Sequence, residues 1–396
     1  MATAVLDVDL EKLPHVISGL ERYSRALILV RSYGRPIGQV VLKVVAGRIR
    51  GGELIDTLVS KAGWPSLKRW LHTYLGWEEV HAIICAPTAT TVAVCTRDRP
   101  EDLQNCLEAL HRLPDDRQEL LVIDNCPSDS ATRDVIKQYS RVRYVREDQP
   151  GLNNARNRAL QEARHEIVVF LDDDIRPDPG WVRALVQNFD DPLVMCVTGL
   201  TMPLELETEA QEWFEHHSPF GRGFNRIVFE RTNLSPAAAG RVGAGANMAL
   251  RRRVLDLVGP FDRALDAGTP TCSGGDTEMF SRILAAGYRI VYDPQALSWH
   301  RHRRTWEELR KVIHGYGVGV YAAMTRRLLV QGDLSVFNVA GIWFFYDQFP
   351  KLVCSLLRVP GSTPLDLLIA ELRGCLAGPW AYFFSSRQFR QRKSGV

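Results

Sequence analysis

The sequence lacks a strong net charge, a cysteine motif and a long apolar run, and each absence excludes a class of protein. The formal net charge of +3 over 396 residues is too small to indicate nucleic-acid binding, so we expect no nucleic-acid partner. The eight cysteines form no Cys-x-x-Cys pair and signal neither a zinc site nor a disulfide framework. The two most apolar stretches, 336–346 and 365–384, fall short of the roughly 20 uncharged residues that a transmembrane helix needs.

The beginning of the chain also lacks a basic segment followed by an apolar run. We therefore expect no signal peptide, and a cytoplasmic protein with reduced thiols that could reach the inner face of the cell membrane. Residues 1–88 are expected to form a separate accessory element. Within it, 26–30 and 39–45 have the pattern of a β-hairpin, and 52–61 and 66–75 have helical spacing.

From Thr91 onward, short apolar strands alternate with amphipathic helices. The predicted strands are 91–95, 119–124, 142–145, 167–171, 193–198, 289–292 and 296–300, and the predicted helices are 100–113, 130–139, 152–163, 181–189 and 276–286. Alternation with short connections predicts a mostly parallel sheet with helices on both faces. We expect this catalytic domain to span residues 89–305.

Two stretches do not follow the alternation. Residues 200–240 lack periodicity and are predicted to be a long irregular lid, in which Trp213 and Phe214 would stack on an acceptor. Residues 306–396 are rich in large apolar side chains but are interrupted by charges, which predicts amphipathic helices. Such helices would either lie on an anionic membrane surface or pack onto the catalytic domain.

The strongest chemical signal is the run Asp172-Asp173-Asp174, which follows an apolar strand and precedes Pro177 and Gly180. In a parallel α/β sheet, ligands bind beyond the carboxyl ends of the strands. Adjacent carboxylates repel each other unless they share a cation such as Mg²⁺ or Mn²⁺ with a phosphate. The run therefore favours a metal site, and the alternative is a solvated acidic loop before a helix.

Three other polar motifs accompany this run. They are Thr96-Arg97-Asp98-Arg99 after the first strand of the alternation, Asp124-Asn125 after the second, and Gly275-Asp276-Thr277-Glu278 at a helix start. The ordered set resembles the family 2 glycosyltransferases over residues 91 to about 305. The resemblance implies an α/β fold of the GT-A type, a mostly parallel sheet flanked by helices. We expect it to carry a small N-terminal α+β element and a helical amphipathic C-terminal segment.

The resemblance also implies a role for each motif. Donor-binding residues would be Thr96, Arg97, Asp98, Asp124, Asn153, Arg156, Asp172 and Asp173. Ligands of a divalent cation, Mn²⁺ or Mg²⁺, would be Asp174, Asp172 and His300. Asp276 would be the base that takes the proton of the acceptor hydroxyl. The plain alternatives are a surface histidine for His300, a solvated helix face for Arg156 and a helix N-cap for Asp276.

These roles together predict an inverting transfer of a sugar from a nucleotide-diphosphate sugar to a carbohydrate, lipid-linked or small-molecule acceptor. Two departures from the family pattern limit the prediction. Gly275 stands where the family often has an acidic residue, and the Gln-x-x-Arg-Trp motif of processive synthases is missing. The alternatives are a Mg²⁺-dependent nucleotidyl- or phosphotransferase, which the glycine-free stretch 96–100 argues against, and a non-catalytic sugar-binding protein, which the retained acids argue against.

Overall fold

The computed structural model describes residues 2–61, 75 and 89–394. The second helix predicted for the N-terminal element, at 66–75, lies outside the described residues except for Leu75.

Over residues 2–61, the N-terminal element consists of a three-stranded sheet, a further two-stranded sheet and one α-helix. Its elements are β1 (Thr3–Asp9), a 3-10 turn (Leu10–Lys12), β2 (Val16–Ile17), β3 (Arg25–Ser32), β4 (Arg35–Lys43), β5 (Ile49–Arg50) and α1 (Gly51–Lys61). The hairpin of β3 and β4 is confirmed, and β1 adds a parallel strand beside β3. Leu27 and Leu29 share an apolar cluster with Leu200 and Tyr292 of the central region. The element is therefore packed against the main sheet.

A nine-stranded mixed sheet forms the centre of the molecule. Its strands are β6 (Thr90–Thr96), β7 (Glu119–Asn125), β8 (Val142–Glu147), β9 (Ile167–Asp172), β10 (Ile175–Pro177), β11 (Val194–Pro203), β12 (Ile227–Phe229), β13 (Asn247–Arg251) and β14 (Arg289–His300). The order is β10-β14-β11-β13-β9-β6-β7-β8, with β12 paired to β14. Strands β8, β7, β6 and β9 are mutually parallel, whereas β13 runs antiparallel between β9 and β11. The carboxyl ends of β6, β7 and β9 thus meet at one edge.

Helices cover both faces of this sheet, which confirms the predicted α/β class. They are α2 (Pro100–His111), α3 (Ala131–Ile136), α4 (Leu152–Glu162), α5 (Trp181–Val186), α6 (Glu209–His217), α7 (Val254–Leu257) and α8 (Gly275–Ala285), with 3-10 segments at Gln187–Asp190 and Pro236–Arg241. Leu103 and Leu107 of α2 are fully buried against one face, and Leu160 and Phe280 against the other. Each such side chain contributes about 1.5–3 kcal/mol to stability by its burial.

The prediction of an irregular lid at 200–240 is wrong in part. Helix α6 lies inside this stretch and begins with a capping box in which Thr208 and Gln211 bond reciprocally. Phe214 is buried in a cluster with Leu309 and Ile313, and Trp213 packs against that cluster. Neither aromatic ring lines the cleft described below, so the expected stacking on an acceptor has no support from their placement.

The C-terminal segment is helical, as predicted. It consists of α9 (Trp306–Gln331), α10 (Ser335–Trp343), a π-helical turn (Phe344–Gln348), α11 (Phe349–Leu356) and α12 (Leu365–Ser394). Helices α9 and α12 pack so closely along each other that a side chain at Gly374 would overlap with the carbonyl of His314. Within the described residues, no helix combines the length and the apolar character needed to cross a bilayer.

Candidate active site

A cleft of about 1260 Å³ opens at the carboxyl ends of β6 and β9. Its walls also include the start of α8, the end of β14 and parts of α9 and α10. The predicted site residues that line it are Thr96, Arg97, Arg156, Asp172, Asp173, Asp174, Asp276 and His300. The predicted residues outside its wall are Asp98, Asp124 and Asn153.

The acidic run is held in place by Arg99. Its Nη1 lies 2.5 Å from Asp173 Oδ1, and its Nη2 lies 3.0 Å from Asp174 Oδ2. The hydroxyl of Thr96 donates to Asp173 Oδ2 at 2.7 Å. Burial raises the pKa of Asp173 to about 7 and the pKa of Asp172 to about 6. Asp173 and Asp174 are thus buried and paired with Arg99, and the solvated acidic loop weighed above does not describe them.

His300 lies beside this run at the end of β14. Its Nε2 is 3.4 Å from Asp174 Oδ1, and its Nδ1 is 2.8 Å from Nδ1 of His302. The Nε2 of His302 is in turn 3.1 Å from a carboxylate oxygen of Glu215. Because a carboxylate can only accept, His302 donates through Nε2; with a neutral His302 ring, its Nδ1 accepts and His300 donates through Nδ1. The Nε2 of His300 then carries no proton and has a free lone pair.

That lone pair faces Asp174 Oδ1 at 3.4 Å. Two hydrogen-bond acceptors this close repel each other unless a cation lies between them. Burial lowers the pKa of His300 to about 4, so its ring is neutral at physiological pH and suited to bind a metal. Among the described residues, no three His, Cys, Asp or Glu side chains form a metal cluster. Mg²⁺ and similar ions are often held by one or two side chains plus substrate phosphates and water, so Asp174 and His300 fit such an ion.

Asp276 lies on another wall of the cleft, as the second residue of α8. The N-cap is Gly274, which has a left-handed backbone (φ 94°), so Asp276 is not a simple N-cap. Its Oδ2 accepts from the backbone N–H of Gly245 at 2.7 Å, and its Oδ1 accepts from that of Thr277 at 2.6 Å. The negative charges of Asp174 and Asp276 both raise the pKa of Asp172, because the three carboxylates lie near one another.

Arg156 forms the floor between these acids. It is almost fully buried, and its Nη1 donates to Asp266 Oδ2 at 2.7 Å. Asn153 is buried behind Arg156, and its side-chain amide donates to the carbonyl of Asp262 at 2.8 Å. This residue, predicted to bind the nucleotide sugar, lies outside the cleft wall. A side chain at Gly275 would overlap with Asp266 and Asn153. Asp266 thus supplies a carboxylate next to the position where the resembling family often has one.

Asp124 lies behind the cleft at the end of β7. Its Oδ2 accepts from the hydroxyl of Tyr144 at 2.9 Å, while its buried Oδ1 has no hydrogen-bond partner. Burial raises the pKa of Asp124, and the Tyr144 bond opposes this. Asp98 accepts from the backbone and the hydroxyl of Ser128. Ser128 and Tyr144 line a second cavity of about 290 Å³, so both acids adjoin it through these partners.

Several site residues were not assigned a role from the sequence. They are Arg99, Tyr144, Glu215, Asp266 and His302. Arg99 and His302 lie within or next to the motifs quoted above, whereas Asp266 reaches Arg156 across 110 positions of sequence and carries no local signal. Glu215 lies on α6, whose capping box was the signal available in the sequence.

A mixed sheet with clustered acids at its strand ends, over a cleft with a further acid at a helix start, is the arrangement that the resemblance to GT-A glycosyltransferases predicts. Comparison with known proteins gives the family. Residues 91–259 match the model of Glycosyl transferase family 2. This stretch of the chain is therefore similar to family 2 glycosyltransferases.

Similar proteins have a range of names. A pre-mycofactocin glycosyltransferase of Mycobacterium tuberculosis H37Rv is 28% identical over 312 residues, which covers 72% of this chain and 62% of that protein. Glycosyltransferase AglE of Haloferax volcanii is 26% identical over 271 residues, covering 66% and 81%. The mannosyltransferase PcManGT from Pyrobaculum calidifontis, solved with GDP-Man and Mn²⁺, aligns at 18% identity with a TM-score of 0.46, covering 84% and 83%. The chain thus spans under two thirds of the first of these relatives.

Proposed function

We propose that the protein transfers a sugar from a nucleotide-diphosphate sugar to an acceptor hydroxyl, with inversion at the anomeric carbon and with the help of a divalent cation. The observation that carries the proposal is the arrangement of one cleft, with Asp174 and His300 on one wall and Asp276 on another. A metal-binding pair and a separate carboxylate are the two parts that direct displacement requires.

The donor diphosphate would lie against Asp174 and His300. A divalent cation held there would neutralise the negative charge that grows on the leaving diphosphate. Arg303, whose Nη2 is 3.6 Å from Asp174 Oδ2, lines the same cleft and is suited to bind phosphate oxygens. The nucleoside would extend toward Asp124, whose unpaired buried oxygen can accept a hydrogen bond from a base or a ribose.

Asp276 would accept the proton of the acceptor hydroxyl while that oxygen attacks the anomeric carbon. Its two backbone hydrogen bonds fix the carboxylate in position, and Oδ2, which accepts only from Gly245, keeps a lone pair for the incoming proton. Because a single displacement inverts the anomeric configuration, no covalent intermediate with the enzyme is needed. Arg156 would place a cation beneath the acids, and its ion pair with Asp266 would hold the guanidinium in position.

The test is an assay of nucleoside diphosphate release from UDP-, GDP- and dTDP-sugars, with Mn²⁺ and with a chelator. We expect release from at least one donor, only with the cation. Release of pyrophosphate or of inorganic phosphate would instead favour the nucleotidyl- or phosphotransferase alternative. Absence of release and of binding for every donor would favour a non-catalytic sugar-binding protein.

A further inference from the structure

The helical stretch from α10 to α11 exposes an apolar stripe. Ile342, Phe345, Phe349, Val353 and Leu356 recur at intervals of three or four residues, which places them on one face of a helix. All five are exposed, with Phe345 at 65% and Leu356 at 60%. We call this set the exposed stripe. Helices of globular proteins usually turn such a face inward, so this one is oriented to bind something outside the described chain.

A second row of apolar side chains lies on α12, which contacts α11. Ile369, Leu376, Trp380 and Phe383 again follow helical spacing, and Leu376 and Trp380 are 78% and 66% exposed. No described residue covers either row. Single exposed apolar residues are ordinary, but two adjoining rows rich in aromatic rings indicate a binding surface.

The exposed stripe borders the cleft. The neighbouring face of the same helical stretch carries Val339, Trp343, Asp347 and Lys351, and all four line the cleft. Ile342 belongs to both, because it lines the cleft and is also 52% exposed. One end of the cleft therefore opens at the apolar surface, while the acids lie at its other end.

Charge on this surface favours an anionic partner. Between residues 335 and 361 the charged residues are Lys351, Arg358 and a single acid, Asp347. Asp347 is paired with Lys351 at 2.8 Å, which leaves the exposed Arg358 as net positive charge. On α12, Arg387 lies 4.3 Å over the ring of Phe383. Aromatic rings with cations at their edges are typical of helices that lie at the surface of an anionic bilayer.

We propose that the exposed stripe and the apolar row of α12 rest on an anionic lipid surface, and that the cleft accepts a hydroxyl carried on a lipid. The inference rests on the proposed glycosyl transfer and adds the chemical class of the acceptor. The apolar part of such an acceptor stays near the stripe, and its polar end passes Ile342 and Trp343 toward Asp276. No helix has to cross the membrane for this arrangement, in agreement with the absence of a spanning helix among the described residues.

Vesicle flotation tests the surface. The full chain is mixed with vesicles of phosphatidylcholine and phosphatidylglycerol, and with vesicles of phosphatidylcholine alone. We expect flotation with the anionic vesicles, and a loss of at least about tenfold in bound fraction for Phe345→Ser/Phe349→Ser/Leu356→Ser, because each buried apolar side chain contributes strongly to partitioning. The matched control is Val41→Ser/Val45→Ser/Ile55→Ser, which removes exposed apolar residues of the N-terminal element and should float like the wild type.

Equal flotation of the two triple variants would overturn the membrane assignment. So would a wild-type dimer in sedimentation that the stripe variant dissociates, because the stripe would then bind a second copy of the chain. Circular dichroism and melting temperature show whether the variants are folded. The substituted side chains do not line the cleft, so donor hydrolysis without acceptor should be unchanged in the stripe variant.

A chain-length series tests the acceptor class. Alkyl glycosides with one head group and increasing alkyl length are offered with the donor found in the release assay. We expect KM to fall as the alkyl chain lengthens, and the stripe variant to lose this dependence. A KM independent of chain length, with donor hydrolysis intact, would reject the lipid-carried acceptor and leave the proposed transfer standing. If the wild type hydrolyses no donor, the proposed transfer itself is rejected.

Discussion

The Nδ1 atoms of His300 and His302 lie 2.8 Å apart, so each ring fixes the proton position of the other. Glu215 sets the direction of this chain by accepting from His302. The ring of His302 is buried and packs against Phe214, with 4.3 Å between ring centroids. Its part is to keep the lone pair of His300 directed at Asp174, as partners of metal-binding histidines commonly do.

We therefore expect His302→Phe to weaken Mn²⁺ binding about 10–100-fold, the usual effect of removing such a partner. Phenylalanine fills the ring space but offers no nitrogen to His300. Calorimetric titration with Mn²⁺ in the presence of UDP or GDP measures the affinity directly. His216→Phe is the matched control, because His216 is exposed on the same helix as Glu215. Unchanged Mn²⁺ affinity in His302→Phe, with a normal melting temperature, would contradict the positioning role.

Asp174→Ala should abolish the cation dependence of donor binding. The carboxylate lies next to the lone pair of His300, and without it one of the two side chains that we propose hold the cation is lost. We expect at least about a tenfold loss of donor affinity with Mn²⁺ present and no change with a chelator. Calorimetry with both buffers separates the two cases. Asp256→Ala, at an exposed acid outside the cleft, serves as control; equal affinities for both variants would reject Asp174 as ligand.

The pKa of Asp172 predicts a stability that depends on pH. Burial raises this pKa from 3.8 to about 6, so the folded protein binds a proton more tightly than the unfolded chain. The contribution of Asp172 to stability in metal-free buffer should then fall as pH rises from about 4 to about 6, and level off above that range. Asp172→Asn removes the penalty and should stabilise the apo protein at neutral pH by on the order of 1–3 kcal/mol.

Melting temperatures from acidic to neutral pH, with a chelator present, check this prediction. The difference between Asp172→Asn and the wild type should shrink as the pH falls toward 3.8 and vanish below it, where the wild-type carboxyl is protonated in both states. Asp256→Asn should follow the wild-type curve throughout. A variant that is less stable than the wild type at neutral pH would show that Asp172 is held by favourable contacts rather than penalised by burial.

The sequence predicts the strand ends well for a physical reason. Apolar runs of five to seven residues followed by acids and helix starters leave few other conformations, so Asp172, Asp174 and Asp276 could be assigned to one cleft in advance. Helix α6 was missed although it has a capping box at Thr208. The large apolar residues of α6 were read as a lid, since its short length gives weak periodicity.

Other parts of the site could not be predicted from local patterns. The pairing of Arg156 with Asp266 joins residues 110 positions apart, and that of His302 with Glu215 joins residues 87 apart. Such contacts depend on how β14 and α6 pack, which no window of sequence encodes. The exclusion of any side chain at position 275 follows from the same packing.

Asp276→Asn is the sharpest test of the proposed base. A positioned general base contributes about 10²–10⁴-fold in rate, so turnover should fall by that factor. Both carboxylate oxygens accept backbone N–H groups, and asparagine keeps only one acceptor. A stability loss of about 1–3 kcal/mol is therefore expected as well, because one N–H of Gly245 or Thr277 is left without a partner. Turnover, donor affinity and melting temperature are measured on the same preparation.

The alternative is that Asp276 only anchors the Gly245 backbone to α8. An anchor predicts the same loss of stability but normal turnover at saturating substrate, whereas a base predicts the rate loss with donor affinity retained. Thr277→Ala is the control, since it removes the hydroxyl beside Asp276 and leaves both backbone N–H groups in place. Glu278 cannot substitute as base, because Arg282 binds both of its carboxylate oxygens at 2.7 and 2.8 Å and Arg326 adds a further ion pair. Turnover close to that of the wild type would therefore remove the base from this cleft wall altogether.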